Sequence, residues 1–165
     1  MQITHRPFLH LNQMSNHQII SNTIISLPDI ADEALPSCPM ALVVDDDEQI
    51  RILLTKILCS DGCIVLATDN AETAFEFIHD FSDRLSIVIS DIQMAGKFDG
   101  LELFRRVKQS FPDLGLVAIS GDLNEQVRGK LDGLGVFAFR KPFDVLDLLA
   151  VVKSLLPQPL IETTR

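Results

Sequence analysis

Positive charge is scarce in this chain: 14 Lys and Arg stand against 23 Asp and Glu, for a formal net charge of −9 at pH 7. Gripping a phosphate backbone takes a basic stripe or patch, so this balance argues against direct nucleic-acid binding. Long hydrophobic runs are missing too. No stretch approaches the roughly 20 apolar residues that span a bilayer, and the first residues lack the apolar core of a secretory signal. A cytoplasmic protein with no membrane partner is expected. Cysteine is sparse and odd in number. Cys38, Cys59 and Cys63 show no paired metal spacing with histidines, and their odd count weakens a disulfide reading. Cys59 and Cys63 read as reduced thiols in or near a core. What remains is 165 residues with 47% hydrophobic and 22% charged side chains, an ordinary balance for one globular domain with a substantial core.

Residues 1–39 differ from the rest. They hold His5, His10 and His17, four prolines (Pro7, Pro28, Pro36, Pro39) and apolar residues only in ones and twos, such as Ile19-Ile20 and Ile24-Ile25. This segment is expected to be a flexible or loosely docked extension, with a partner-binding segment or a short helix around 14–26 as its alternative. The three histidines lack a carboxylate or thiol at ligand spacing, so no metal site is read there. Residues 40–157 form the domain, and 158–165 a short polar tail.

From Met40 onward, short β-branched runs alternate with helical periodicity. Strands are predicted at 41–44, 64–67, 86–90, 115–119 and 136–139. Between and after them, apolar residues recur at helical spacing: Ile50, Leu53, Leu54, Ile57 and Leu58; then Ala71, Ala74, Phe75 and Ile78; then Leu101, Leu103, Phe104 and Val107. A weaker stripe (Val127, Leu131, Leu134) and a last one (Leu148, Leu149, Val152, Leu155) follow. Asp69 or Asn70, and Asp144, stand where helices need a cap. Five strand–helix repeats imply an α/β fold, a five-stranded doubly wound parallel sheet with helices on both faces. The order 2-1-3-4-5 fits the count, and its switch point lies between the first and third strands.

The polar residues that end these strands carry the chemistry. Asp45 and Asp46 follow the first strand, Asp91 the third, Ser120 the fourth and Lys141 the fifth. Two carboxylates about 4 Å apart repel by roughly 4 kcal/mol at an effective dielectric of 20, so three on one sheet edge need a cation or protons. Mg2+ suits few carboxylates, several waters and an incoming phosphoryl group. Asp91 can then act as a nucleophile, since aspartyl phosphates are an established covalent route, while Lys141 and Ser120 meet the phosphoryl oxygens. Taken singly, each has a plainer reading. Asp45 to Glu48 can be a solvated helix start, Asp91 a turn cap, Lys141 a loop lysine and Ser120-Gly121 a turn. Their joint arrival on one edge favours the chemical reading.

Leu42-Val43-Val44-Asp45-Asp46, Ser90-Asp91-Ile92-Gln93-Met94, Asp99-Gly100-Leu101-Glu102-Leu103, Ser120-Gly121 and Lys141-Pro142-Phe143 together resemble the response-regulator receiver domain of two-component signalling, over about residues 40 to 157. The resemblance implies a flavodoxin-like fold and makes Asp91 the acceptor of a phosphoryl group from a sensor histidine kinase or a histidine phosphotransfer protein. It implies Mg2+ held by Asp46 directly, by Asp45 largely through water, and by Asp91 and the Gln93 backbone carbonyl. Ser120 and Lys141 would bind the phosphoryl group. Phe139 occupies the aromatic switch position, coupled to a surface of the fourth helix, fifth strand and fifth helix that meets a downstream protein target. Its plainer role is core packing, and the two are compatible.

Two departures stand out. Ala95 replaces the proline usual after the loop methionine, and Asp99-Gly100 comes one residue later than in the commonest pattern. Asp47 is read as a helix cap, with a one-residue shift of the acid pair as the alternative. Gln93 and Asp122 lie where this family tunes phosphoryl lifetime. No output segment follows Pro157 in this sequence, so a stand-alone receiver, not itself an enzyme, is expected. Two rival readings remain. One is a phosphorylation-independent interaction module on the same fold. The other is a haloacid-dehalogenase-like phosphatase built on Asp45-x-Asp47, although its usual following residues and second acidic pair are missing.

Overall fold

The computed structural model describes residues 17–20, 23–28 and 37–157. In chain order the elements are β1 (His17–Ile20), β2 (Thr23–Ser26), β3 (Met40–Val44), α1 (Glu48–Ser60), β4 (Ile64–Thr68), α2 (Ala71–Asp80) and β5 (Leu85–Asp91). They continue with α3 (Gly100–Ser110), β6 (Gly115–Ser120), α4 (Glu125–Gly133), β7 (Phe137–Arg140) and α5 (Val145–Leu155).

The five parallel strands stand in the order β4-β3-β5-β6-β7, which is the expected 2-1-3-4-5. The runs of β3, β4, β5 and β6 are almost wholly buried, because helices cover both sides, whereas the edge strand β7 is partly exposed. Alternation along each strand sorts the core into two layers. Met40, Leu42, Val44, Val88, Leu116 and Ala118 face α2, α3 and α4, where they meet Ala74, Ile78, Phe104, Val107 and Leu131. Ala41, Val43, Ile87, Ile89, Val117 and Ile119 face α1 and α5, where they meet Leu54, Leu58, Leu148 and Val152.

The sheet is larger than the periodicity implies. β1 and β2 form an antiparallel hairpin, and β2 pairs antiparallel with β4 through Ile24–Ala67, Ile25–Leu66 and Ser26–Val65, giving seven strands. Where a short helix was the alternative, 17–20 and 23–26 are strand. The apolar doublets are too short to show a two-residue period alone; they become strand by pairing with a preformed edge, and Ile25 and Leu27 then pack against the α2 side of the core. His5, His10 and the tail from 158 lie outside the described residues.

Caps set the helix starts. Asn70, not Asp69, caps α2, its side chain accepting Thr73 N at 2.8 Å. Asp47 caps α1, accepting Gln49 N at 2.8 Å and Ile50 N at 3.4 Å. This commits Asp47 to the helix and leaves Asp45 and Asp46 as the acid pair.

Candidate functional site

Every parallel strand ends at the same sheet edge, so residues far apart in sequence meet there. Asp45 follows β3, Asp91 ends β5 and Lys141 follows β7. The Lys141 ammonium bridges the two acids, with Nζ 2.7 Å from Asp45 Oδ2 and 2.5 Å from Asp91 Oδ2. Asp45 is 1% exposed and Asp91 6%, so each carboxylate has lost most of its water and needs these partners. The second oxygen of each is held by the backbone. Gln93 N donates to Asp91 Oδ1 at 2.8 Å and Asp47 N to Asp45 Oδ1 at 2.9 Å.

Asp46 is exposed, yet carboxylate oxygens of Asp45, Asp46 and Asp91 lie within 4.8 Å of one another. Three acids face one ammonium, which leaves the cluster net negative. Hard oxygen donors, partly exposed and in excess of local positive charge, fit a small divalent cation such as Mg2+. The ionisation of the site follows from its burial. Burial pushes the Asp45 carboxyl above its ordinary value; the hydrogen bonds from Lys141 and Asp47 oppose this, and the neighbouring Asp91 charge adds to the rise. Burial works against the Lys141 charge as well, but its hydrogen bonds to Asp45 and Asp91, with their charges, outweigh it and hold the ammonium above its ordinary value.

Ser120 is fully buried at the end of β6. Its hydroxyl is turned into its own loop, donating to Asp122 O at 3.1 Å and accepting Asp122 N at 3.2 Å. The same residue's carbonyl accepts Lys141 N at 2.8 Å, which ties the ends of β6 and β7 together. Phe139 is half-buried on β7, opposite Ile119, and packs against the α1–α5 layer. Gln93 is exposed and contributes its amide.

Sequence reasoning missed three supports of this site. The Arg51 guanidinium donates to Asp45 O at 2.6 Å, and Thr68 O accepts Asp45 N at 3.2 Å, so the turn after β3 is held from α1 and β4. Gly100 is the third. A Cβ there would fall 1.9 Å from Asp91 O, an impossible approach, so only glycine lets α3 start against the end of β5. The motif Asp99-Gly100 was legible, but the reason for its glycine is a contact across the chain.

A seven-residue strand that presents one buried acid to a second acid and a lysine, on this topology, agrees with the family comparison. The response regulator receiver domain model matches residues 41–153. This chain belongs to the response regulator receiver family. Among curated relatives, the receiver is 35% identical over 121 residues to the DNA-binding transcriptional regulator NtrC of Azospirillum brasilense, covering 73% of this chain and 24% of that protein. It is 35% identical over 122 residues to PetR of Rhodobacter capsulatus, covering 73% of this chain and 49% of that protein. The chain therefore spans between a quarter and a half of the length of these relatives. Among solved structures, a response regulator receiver protein from Pseudomonas putida superposes with a TM-score of 0.65 at 33% identity, over 71% of this chain and 97% of that one. The CheX-CheY-BeF3-Mg2+ complex from Borrelia burgdorferi gives a TM-score of 0.65 at 26% identity, over 70% of this chain and 87% of that one. Among the described residues, no helix of this receiver is long and apolar enough to cross a membrane.

Proposed function

We propose that this receiver accepts a phosphoryl group on Asp91 from a phosphohistidine of a sensor kinase or phosphotransfer protein. The observation that carries this reading is Lys141 bridging Asp45 and Asp91 beside the exposed Asp46. An Asp91 carboxylate oxygen attacks phosphorus, the P–N bond to the donor histidine breaks, and the freed imidazole leaves with the electron pair and takes up a proton. The product is an acyl phosphate. Lys141 is already within reach of the attacking carboxylate and shifts its charge to the incoming phosphoryl oxygens. Gln93 N orients Asp91 through Oδ1. Ser120 releases its hydroxyl from Asp122 to donate to the phosphoryl group, and Phe139 follows it inward. Asp45, Asp46, Asp91 and the Gln93 carbonyl are the groups that would hold Mg2+, which supplies charge neutralisation between donor and acceptor oxygens. The BeF3 and Mg2+ of the Borrelia burgdorferi relative support this assignment.

The readout is a protein surface, not a reaction on a separate substrate. Movement of Phe139 biases α4, β7 and α5, a local electrostatic event with a wider packing consequence. Phe137 on β7 and Leu146 on α5 are 46% and 75% exposed, which suits a partner-binding face. The chain acts here as a phosphoacceptor and not as an enzyme. Asp47, which caps α1, is committed to the helix start, and this weighs against the phosphatase reading.

The test is intact mass after incubation with a small phosphodonor and Mg2+. Wild type should gain one phosphoryl group; Asp91→Asn, and wild type with EDTA, should gain none. Failure of wild type with every donor would favour a phosphorylation-independent module.

A further inference from the structure

The loop between β5 and α3 must carry Gln93 at a fixed place beside Asp91, yet its composition works against rigidity. Ala95 stands where proline would limit the backbone, and Gly96 follows with φ +148. Ala95, Gly96 and Lys97 are all exposed. The ends of the loop are well held: Met94 is buried, Phe98 lies 4.5 Å beneath the Arg106 guanidinium, and Asp99 caps α3 by accepting Glu102 N at 2.9 Å. Its middle is held from another element. Glu72, in the first turn of α2, accepts Lys97 N on Oε1 at 2.5 Å, across 25 residues of sequence.

Gly96 belongs to the same arrangement. A Cβ at Gly96 would lie 2.9 Å from Glu72 Oε2 and 3.1 Å from Oε1, so the carboxylate sits directly against the glycine backbone. The positive φ and the missing side chain together let the chain pass close to Glu72. A carboxylate accepting a backbone amide makes a charge-assisted hydrogen bond, stronger than a neutral one. Glu72 also favours its own helix, as an acid at the positive end of the macrodipole. Nothing in its sequence context marks it for a role in the site: it is one acid among 23, on a different strand–helix unit from Asp91.

We propose that Glu72 is a positioning residue for phosphoryl acceptance. Clamping Lys97 N, it sets the loop that presents Gln93 to Asp91 and Mg2+, replacing the restraint that proline would supply. The proposal rests on Asp91 being the acceptor. Glu72 touches neither the acceptor nor the other acids, so its influence passes through the loop backbone.

The test compares wild type, Glu72→Gln and Glu72→Ala with three readouts. The first is hydrogen exchange at the Lys97 amide, which needs neither metal nor phosphodonor. Loss of a charge-assisted bond predicts exchange about tenfold faster in Glu72→Ala, with Glu72→Gln, which keeps an acceptor oxygen, in between. The second is Mg2+ affinity by calorimetry, where loss of an outer support should weaken binding about threefold to tenfold in Glu72→Ala. The third is the phosphorylation rate from a small phosphodonor against Mg2+ concentration. Glu72→Ala should need more Mg2+ for half-maximal rate while reaching a similar plateau, and Glu72→Gln should recover most of the loss. Equal thermal midpoints for the three proteins would confine the effect to the loop. Unchanged Mg2+ affinity and Mg2+ dependence in Glu72→Ala, with wild type phosphorylated normally, would overturn the clamp. A wild type that takes up no phosphoryl group would instead overturn the acceptor reading on which it stands.

Discussion

Asp45 shows how a single buried carboxyl can weigh against stability. Its carboxyl is raised above the ordinary 3.8 chiefly by burial, so its charged form is less favoured in the folded chain than in the unfolded one. The sign follows: Asp45 supports the fold when protonated, and that support is lost as pH rises through its raised value. Lys141 is raised above 10.5, so its contribution is present below that value and is lost only as pH climbs through the higher folded one. The two substitutions should therefore move stability in opposite directions near neutral pH without Mg2+. Asp45→Asn should raise the thermal midpoint, whereas Lys141→Ala, which leaves two facing acids uncompensated, should cost about 1–3 kcal/mol by urea titration. A destabilised Asp45→Asn would show that the Lys141 pair outweighs burial. The thiols follow the same logic more simply: burial pushes Cys59 up to about 11 and Cys63 up to about 12, which favours the protonated thiol at neutral pH.

At the scale of elements, two joints decide more than any one strand. The first is where α3 meets β5. Gly100→Ala would force its Cβ into Asp91 O, so the helix start or the strand end must shift. This should cost about 3 kcal/mol or more and lower the yield of phosphorylated protein under conditions that saturate wild type. Normal folding and phosphorylation would mean that the start of α3 can retreat without disturbing Asp91. The second joint is the hairpin on β4, which converts an open parallel edge into a paired one. Ile25→Ala with Leu27→Ala removes its half-buried anchors and should lower stability by about 2 kcal/mol. Phosphorylation at Asp91 should be unaffected, because β4 and β3 lie between β2 and β5 in the sheet. Loss of phosphoryl uptake in that double variant would tie the hairpin to the site.

Across the whole molecule, a net charge of −9 and an acid cluster at one edge predict that a divalent cation stabilises the fold. Mg2+ that binds the folded state alone should raise the unfolding free energy progressively, by about 2.7 kcal/mol at a hundred times its dissociation constant, and the thermal midpoint with it. Matched ionic strength from a monovalent salt should not reproduce this, and Asp46→Asn should blunt it. An equal response to both salts would reduce the cluster to general screening.

The five strand–helix units, their order and the strand-end residues were determined locally. Burial on two faces writes β-branched runs, helices write their own period, and caps such as Asp47 and Asn70 act within three residues. Those signals place Asp45, Asp46, Asp91, Ser120 and Lys141 each at or just past the carboxyl end of its own strand, and parallel pairing then brings those ends to one edge. Tertiary structure decided the rest, because it depends on approaches that no local pattern encodes. The Lys141 ammonium meets acids 96 and 50 residues away, and Glu72 reaches a loop amide 25 residues on. Gly100 is needed only because the Asp91 carbonyl passes beside it, and Ser120 turns to Asp122 because the loop after β6 folds back on it. The hairpin is the clearest instance: Ile19-Ile20 and Ile24-Ile25 carry too little period to announce a strand, and they become one because an unpaired β4 edge offers its backbone hydrogen bonds.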